Sequence, residues 1–255
     1  MNTTRQNGSL YTNLKNNIAI IEFGHPASNS FPSELLERLT NELNSISKND
    51  AISVVVLKSE GEKAFCAGAS FDELIAISNL EEGKQFFAGF ANVINAMRTC
   101  GKLIVGRVQG KAVGGGVGLA AACDYVLATE SAAIKLSEFT IGIGPFVIAP
   151  AVERKIGVAA LSELTLDATN WKSAYWAKEK GLFARVFEDI KTLDTEVEIL
   201  SEKLASYNPQ AIAEMKKVLW KGTGNWNDLL AERAAISGEL VLSDFTKKAL
   251  EKFKK

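Results

Sequence analysis

The period at which apolar residues recur changes along the chain, and each change marks an element. Ile18-Ala19-Ile20-Ile21-Glu22-Phe23 is a short, β-branched run closed by Gly24 and Pro26, which predicts a strand and then a turn. From Pro32 to Ser47 the spacing shifts to three and four, so that Leu35, Leu36, Leu39, Leu43 and Ile46 share one helical face and Pro32 suits a first-turn position. Residues Ile52 to Leu57 are almost continuously apolar, the pattern of a strand covered on both faces. A helix over residues 81–97 and strands at Leu103–Val108, Tyr125–Ala128 and Ala184–Phe187 follow on the same grounds. The segment Met1 to Tyr11 is polar and predicts no element.

Beyond Thr192 the periodicity is helical. Asn208-Pro209 is a helix-start signal, and Asp244 to Lys255 predicts an amphipathic helix whose cations lie toward its C-terminal end, where the helix dipole favours them. Strand, helix, strand recurs up to about residue 190, and no repeat or low-complexity tract interrupts it. The expected organisation is an α/β core over residues 1–190 and a helical C-terminal region over 191–255.

Composition narrows the function classes. With Lys+Arg 29 against Asp+Glu 30 in 255 residues, the chain has no electrostatic footprint for nucleic acid or an anionic membrane. No stretch reaches the roughly 18 apolar residues of a membrane-spanning helix, and no apolar leader opens the chain, so a cytoplasmic protein is expected. Cys66, Cys100 and Cys123 are widely spaced and form no C-x-x-C pair, and Cys66 and Cys123 read as small core residues. The single histidine, His25, stands directly before Pro26 and reads as a turn residue. Metal sites and His-activated nucleophiles are thereby disfavoured, which leaves carboxylates, backbone groups or a cofactor to carry chemistry.

Gly114-Gly115-Gly116-Val117-Gly118 follows a strand and can expose backbone N–H groups unobstructed by side chains. The segment is neither part of a phosphate loop, because Gly106 to Gly110-Lys111-Ala112 has the wrong spacing and no hydroxyl, nor a dinucleotide fingerprint, because Leu119 occupies a required glycine position. A second segment of small residues, Lys63 to Ser70, also leaves a buried strand and enters a helical pattern. Two such turns aimed at one point would form an oxyanion hole.

Ala64-Phe65-Cys66-Ala67-Gly68-Ala69, Val108 to Leu119, Cys123-Asp124 and Leu136-Ser137-Glu138 together resemble the signature of the enoyl-CoA hydratase/isomerase, or crotonase, family, with order and spacing matching over nearly the whole chain. The resemblance implies a crotonase-like α/β spiral of ββα units with a helical C-terminal oligomerisation region, assembly into homotrimers or hexamers, and acyl-CoA thioesters as substrates. Coenzyme A would enter as part of the substrate, with no separate cofactor and no metal. It further implies that the backbone N–H groups of Ala69 and Gly115 hold the thioester carbonyl and that Glu138 moves the proton. Ala67, Gly68, Gly116, Gly118, Pro145 and Phe146 would line the substrate site.

The sequence departs from the family at chemically important positions. Hydratases of the family carry a further glutamate where this chain has Gly118, so Glu138 would act without its usual partner. Ser70 replaces a usual aspartate, Asp72 stands near a usual basic residue, and Phe146 stands where glycine is frequent. A hydratase acting on a short or branched 2-enoyl-CoA, similar to methylglutaconyl-CoA hydratases, is the leading expectation. A 3-enoyl-CoA to 2-enoyl-CoA isomerase using Glu138 as sole base is the next, and a non-catalytic acyl-CoA-binding protein the third.

Overall fold

The chain opens on a hairpin that its hydropathy conceals. In the computed structural model, which describes residues 7–252, Ser9–Lys15 (β1) pairs antiparallel with Ile18–Gly24 (β2). Asn16 and Asn17 turn the chain with φ of 49° and 63°, the left-handed pair that a two-residue hairpin loop requires. β1 is an edge strand whose Tyr11 and Leu14 remain exposed, so no apolar run marks it in the sequence.

Ser33–Ser47 (α1) buries the five expected residues, and Pro32 is its N-cap, one position earlier than expected. Val54–Ser59 (β3) starts two residues later than the apolar run. Ile52 and Ser53 still belong to the preceding loop, their N–H groups donating to the carbonyls of Asn49 and Asn17. There follow Ala64–Cys66 (β4), Phe71–Ala76 (α2), Leu80–Thr99 (α3), Leu103–Val108 (β5), Lys111–Val113 (β6), Gly115–Ala122 (α4), Tyr125–Thr129 (β7) and Ala133–Lys135 (β8). A single 3₁₀ turn, Glu138–Ile141, precedes Ala149–Leu166 (α5), whose two halves meet at Gly157, with a φ of 73°. Lys172–Ser173 (β9), Ala174–Glu179 (α6) and Arg185–Phe187 (β10) complete the strands, and four helices end the described chain: Ile190–Ala205 (α7), Pro209–Leu219 (α8), Trp226–Leu240 (α9) and Asp244–Glu251 (α10). The last three residues of the expected C-terminal helix, 253–255, lie outside the described residues.

Two sheets organise these elements. The larger has the order β1-β2-β3-β5-β7-β10 and is parallel beyond the hairpin; the smaller has the order β4-β6-β8-β9, parallel across its first three strands. Three times in succession the chain lays a strand in the large sheet, the next in the small sheet and then turns helical, which makes a spiral of ββα units. Alternation along the strands serves two faces. Val55, Leu57 and Ile104 enter the main core with α1 and α3, while Val54, Val56, Val105 and Leu127 meet Leu193 and Val197 of α7. The continuous apolar run from Ile52 to Leu57 therefore does report a strand covered on both sides.

The C-terminal helices are tied to this spiral at two places. Gly83 of α3 and Gly238 of α9 bring their backbones together so closely that a Cβ on Gly83 would lie 2.7 Å from the Gly238 carbonyl oxygen. The second tie is electrostatic. Asp124 accepts hydrogen bonds from the Ile104 N–H at 2.8 Å and from Trp220 Nε1 at 2.7 Å, and Lys216 Nζ lies 3.0 Å from its carboxylate. Lys216 also donates to the Lys102 carbonyl at 2.7 Å. Both side chains of the Asp124–Lys216 pair are almost fully buried, so removing one charge strands the other. Trp220 and Trp226 pack edge-on at 5.7 Å within the core rather than facing outward. Asp124→Ala is expected to cost about 3–5 kcal/mol of unfolding free energy, measured by urea denaturation, with tryptophan fluorescence reporting the same transition.

Candidate active site

β4, β6 and β8 are neighbouring parallel strands, so the segments leaving their C-terminal ends emerge side by side. Those segments are Ala67-Gly68-Ala69, Gly114-Gly115 and Leu136-Ser137-Glu138. Residues more than 20 apart in sequence meet because of the strand order, at the carboxyl ends of parallel strands where ligands commonly bind.

The first segment is held from behind. Asn29 Nδ2 donates to the carbonyls of Glu60 and Ala64 at 2.8 and 2.9 Å, and the Phe31 N–H donates to the Gly68 carbonyl at 2.8 Å. Gln109, fully buried, directs its amide Nε2 to Ser59 Oγ and the Ala64 carbonyl at 2.9 and 3.0 Å, fixing the loop into β4. Ser70, placed where the family often has aspartate, caps α2 through the Glu73 N–H at 3.3 Å.

The glycine cluster is needed for close approach. Gly114 adopts φ 52° and ψ −118°, a conformation open to glycine and costly for other residues, and so turns the chain into α4. A Cβ on Gly116 would lie 2.4 Å from the Cys66 carbonyl oxygen, and one on Gly115 would lie 2.3 Å from the Phe90 ring. Gly68 Cα lies so near this turn that a Cβ there would stand 3.4 Å from the Gly115 nitrogen. Ala69 and Gly115 both line a cavity of about 370 Å³, and neither N–H donates a hydrogen bond among the described residues. Gly115 is the first residue of α4, where N–H groups have no intrahelical acceptor and the helix end carries partial positive charge.

Glu138 lines the same cavity. Its Oε1 would stand 2.8 Å from a Cβ on Gly114, which places the carboxylate against the start of α4. The residue as a whole is half-buried, but Oε2 is sealed from the surface and accepts no hydrogen bond from the described residues. Desolvation by burial pushes this carboxyl up to about 7, opposed only by its own backbone N–H. Half of such groups are protonated near neutrality, the state range in which a carboxyl both accepts and donates protons.

Phe86, Phe87, Phe90, Ile141, Ile143 and Val147 form the apolar part of the cavity, with Phe86 and Phe90 placed by the helical spacing of α3. Ala67, Gly68, Pro145 and Phe146 also border it, and the Phe146 ring folds over Gly144. Gly116 and Gly118 do not border it. Gly116 is buried against Cys66, and Gly118 lies behind Ile148, whose Cγ2 would be 2.4 Å from a Cβ on Gly118. Ile148 is the lining residue that motif reasoning misses, since nothing in the local sequence links it to position 118; only the helix spacing of Gly114 and Gly118 hints that one face of α4 is occupied twice.

Other candidates stand apart. Cys66 and Cys123 are buried, and burial pushes both thiols up to about 12. His25 accepts from the Ala27 N–H at 3.2 Å within its turn. A cleft of about 220 Å³ between α7 and the large sheet contains Arg107, already paired with Asp194 at 2.7 Å, and none of the motif residues. Among the described residues no three His, Cys, Asp or Glu side chains cluster as metal ligands would, and no helix is long and apolar enough to cross a membrane.

Comparison with known proteins agrees with this geometry. The family model for enoyl-CoA hydratase/isomerase matches residues 13–253. The chain is 28% identical to the short-chain-enoyl-CoA hydratase of Clostridium acetobutylicum over 239 residues, covering 92% of this chain and 90% of that protein. It is 29% identical to the peroxisomal Delta(3,5)-Delta(2,4)-dienoyl-CoA isomerase of Arabidopsis thaliana over 192 residues, covering 69% of this chain and 67% of that one. The crystal structure of enoyl-CoA hydratase from Bacillus halodurans superposes with a TM-score of 0.87 over 95% of this chain and 99% of that one at 22% identity, which establishes the shared crotonase fold. The chain belongs to the enoyl-CoA hydratase/isomerase family.

Proposed function

We propose that the protein adds water to a short or branched 2-enoyl-CoA, with Glu138 as the single acid/base group and the Ala69 and Gly115 N–H groups as the oxyanion hole. The observation that supports this reading best is a desolvated carboxyl, poised at about 7, lining the same cavity as two backbone N–H groups with no other acceptor among the described residues. The thioester carbonyl oxygen would accept from both N–H groups. Glu138 would take a proton from water as the oxygen bonds to C3, the π electrons moving through C2 to the thioester oxygen as an enolate. Glu138 would then return that proton to C2, which restores the carbonyl and the ionised carboxylate. Water and proton arrive on the same face, so the addition is syn. Each hole donor is worth about 3–4 kcal/mol of barrier, because charge on the thioester oxygen develops in the transition state.

Isomerisation of a 3-enoyl-CoA is the second reading, favoured by the alkyl wall that Phe146, Val147 and Ile148 present to the cavity. The same carboxylate would remove a proton from C2 and deliver it to C4 through one dienolate, and no water would be needed in the site. Assembly as a homotrimer or hexamer is part of the same reading and rests on the family resemblance.

Incubation with 2-enoyl- and 3-enoyl-CoA panels in ¹⁸O-labelled water, followed by mass spectrometry, separates the readings. Hydration adds one labelled oxygen to the 2-enoyl panel and is reduced at least about 100-fold in Glu138→Gln; conversion of the 3-enoyl panel without label identifies the isomerase, and turnover of neither panel contradicts both. Since the proton-accepting form is the ionised one, kcat/KM is expected to rise with pH through a single ionisation near 7 and then level off. Stability should move oppositely. A carboxyl raised from 4.5 to about 7 on folding stabilises the native state below 4.5 and loses that contribution as pH rises through 7. Glu138→Gln is therefore expected to exceed the parent protein in unfolding free energy at pH 8, by about 2–3 kcal/mol, with the gain disappearing at pH 4.

A further inference from the structure

Gly114 and Gly118 are one helical turn apart, and the Gly118 N–H donates to the Gly114 carbonyl at 3.2 Å. Gly114 is the non-helical N-cap of α4, and Gly118 lies one turn along the helix, about 6 Å away. The two positions are covered by different chemistry. Over Gly114 lies the Glu138 carboxylate; over Gly118 lies the side chain of Ile148. The contact at Gly118 is not a loose one. A Cβ there would lie 2.4 Å from Ile148 Cγ2 and 2.7 Å from Ile148 Cβ, so rotating the isoleucine cannot clear it; Ile148 is 4% exposed and precedes α5 as its N-cap, which limits backbone retreat.

We propose that Gly118 and Ile148 form an interlocked pair, and that Ile148 is a positioning residue which holds this active site to one carboxylate. The inference rests on the functional reading above for its catalytic consequence, but not for the interlock itself. Any side chain at position 118 would project along the α4 face toward the space Ile148 fills, one turn from Glu138. An acidic group there would stand close enough to Glu138 to couple with its ionisation, and Ile148 excludes it. Where a second carboxylate would keep the wall polar, Ile148 supplies alkyl surface to the cavity lining and adds to the desolvation of Glu138. The absence of an acid at position 118 is thus a packed arrangement involving a distant loop, and a glutamate introduced alone is not accommodated.

A mutant cycle tests the interlock without reference to activity. Gly118→Ala, Ile148→Gly and the double variant are compared by thermal denaturation; glycine is needed at 148 because alanine keeps the Cβ that stands 2.7 Å from the added methyl. Ile148→Gly lowers Tm by itself through the lost burial, and the expected result is that Gly118→Ala lowers Tm in the parent but causes little further loss in the Ile148→Gly background. Additive losses, or a Gly118→Ala protein as stable as the parent, overturn the proposal. In an Ile148→Val background, which retains Cβ and Cγ2 and loses one buried methyl, Gly118→Ala is expected to cost as much Tm as in the parent. For the catalytic consequence, Gly118→Glu/Ile148→Gly is expected to fold and to show a pH–rate midpoint shifted upward from that of Ile148→Gly alone, as a nearby like charge disfavours ionisation of Glu138. An unshifted midpoint in a folded, active double variant contradicts the positioning role. If no variant and no parent protein turns over any enoyl-CoA, the functional reading fails while the stability cycle still decides the interlock.

Discussion

Everything in the site depends on one desolvated carboxyl being tolerated beside the start of a glycine helix. Glu138 is sealed against Gly114, with its Oε2 unpartnered among the described residues, and it is held near neutrality rather than in the ordinary carboxylate range. Such burial is unfavourable for the ionised form and would be relieved by any neighbouring cation or donor. Aromatic rings and branched aliphatic side chains form much of those surroundings, and no cation offsets the desolvation. The energetic strain of keeping this group dry is what gives it the capacity to exchange protons at neutral pH.

The topology makes that arrangement affordable. Three parallel strands of the small sheet end side by side, and each delivers one component: small residues from the first, the helix-opening glycines from the second, the carboxylate from the third. Backbone donors at Ala69 and Gly115 add no side-chain entropy and are fixed by the ladder behind them. The buried Asn29 and Gln109 amides, bonded to the loop carbonyls around Ala64, transmit that rigidity from the large sheet. The C-terminal helices are fastened to the same body through Asp124, Lys216 and Trp220, so the spiral and its helical tail share a charge-paired joint.

Much of this was legible in the sequence, and the gaps have physical causes. Helix α1 followed directly from its spacing of three and four, which buries one face, and strand β5 from a short apolar run that is buried on both faces. The Asn208 cap of α8 was readable from the Asn-Pro pair. β1 was not, because an edge strand with an exposed face carries no apolar run, and its position is set by the Asn16-Asn17 turn and its partner. The three-residue strands of the small sheet are too short to show a period, yet they decide the geometry of the site. The two glycine-containing turns stood out by their small residues after strands, and Glu138 by its resemblance to a family; the burial of Gly116 and Gly118 and the intrusion of Ile148 were not legible, since both are contacts between segments far apart in sequence.

The central claim is that burial, and no charged neighbour, holds the Glu138 carboxyl near 7. Selective ¹³C labelling of glutamate side chains, with the Glu138 resonance assigned by its loss in Glu138→Gln, allows its ionisation to be followed directly by NMR titration of the folded protein. A midpoint near 7 in the unliganded protein is the expected result. A midpoint at the ordinary value of 4.5 would contradict the account, because a carboxyl fully ionised well below neutrality is not desolvated as the structure requires and could not serve alone as acid and base.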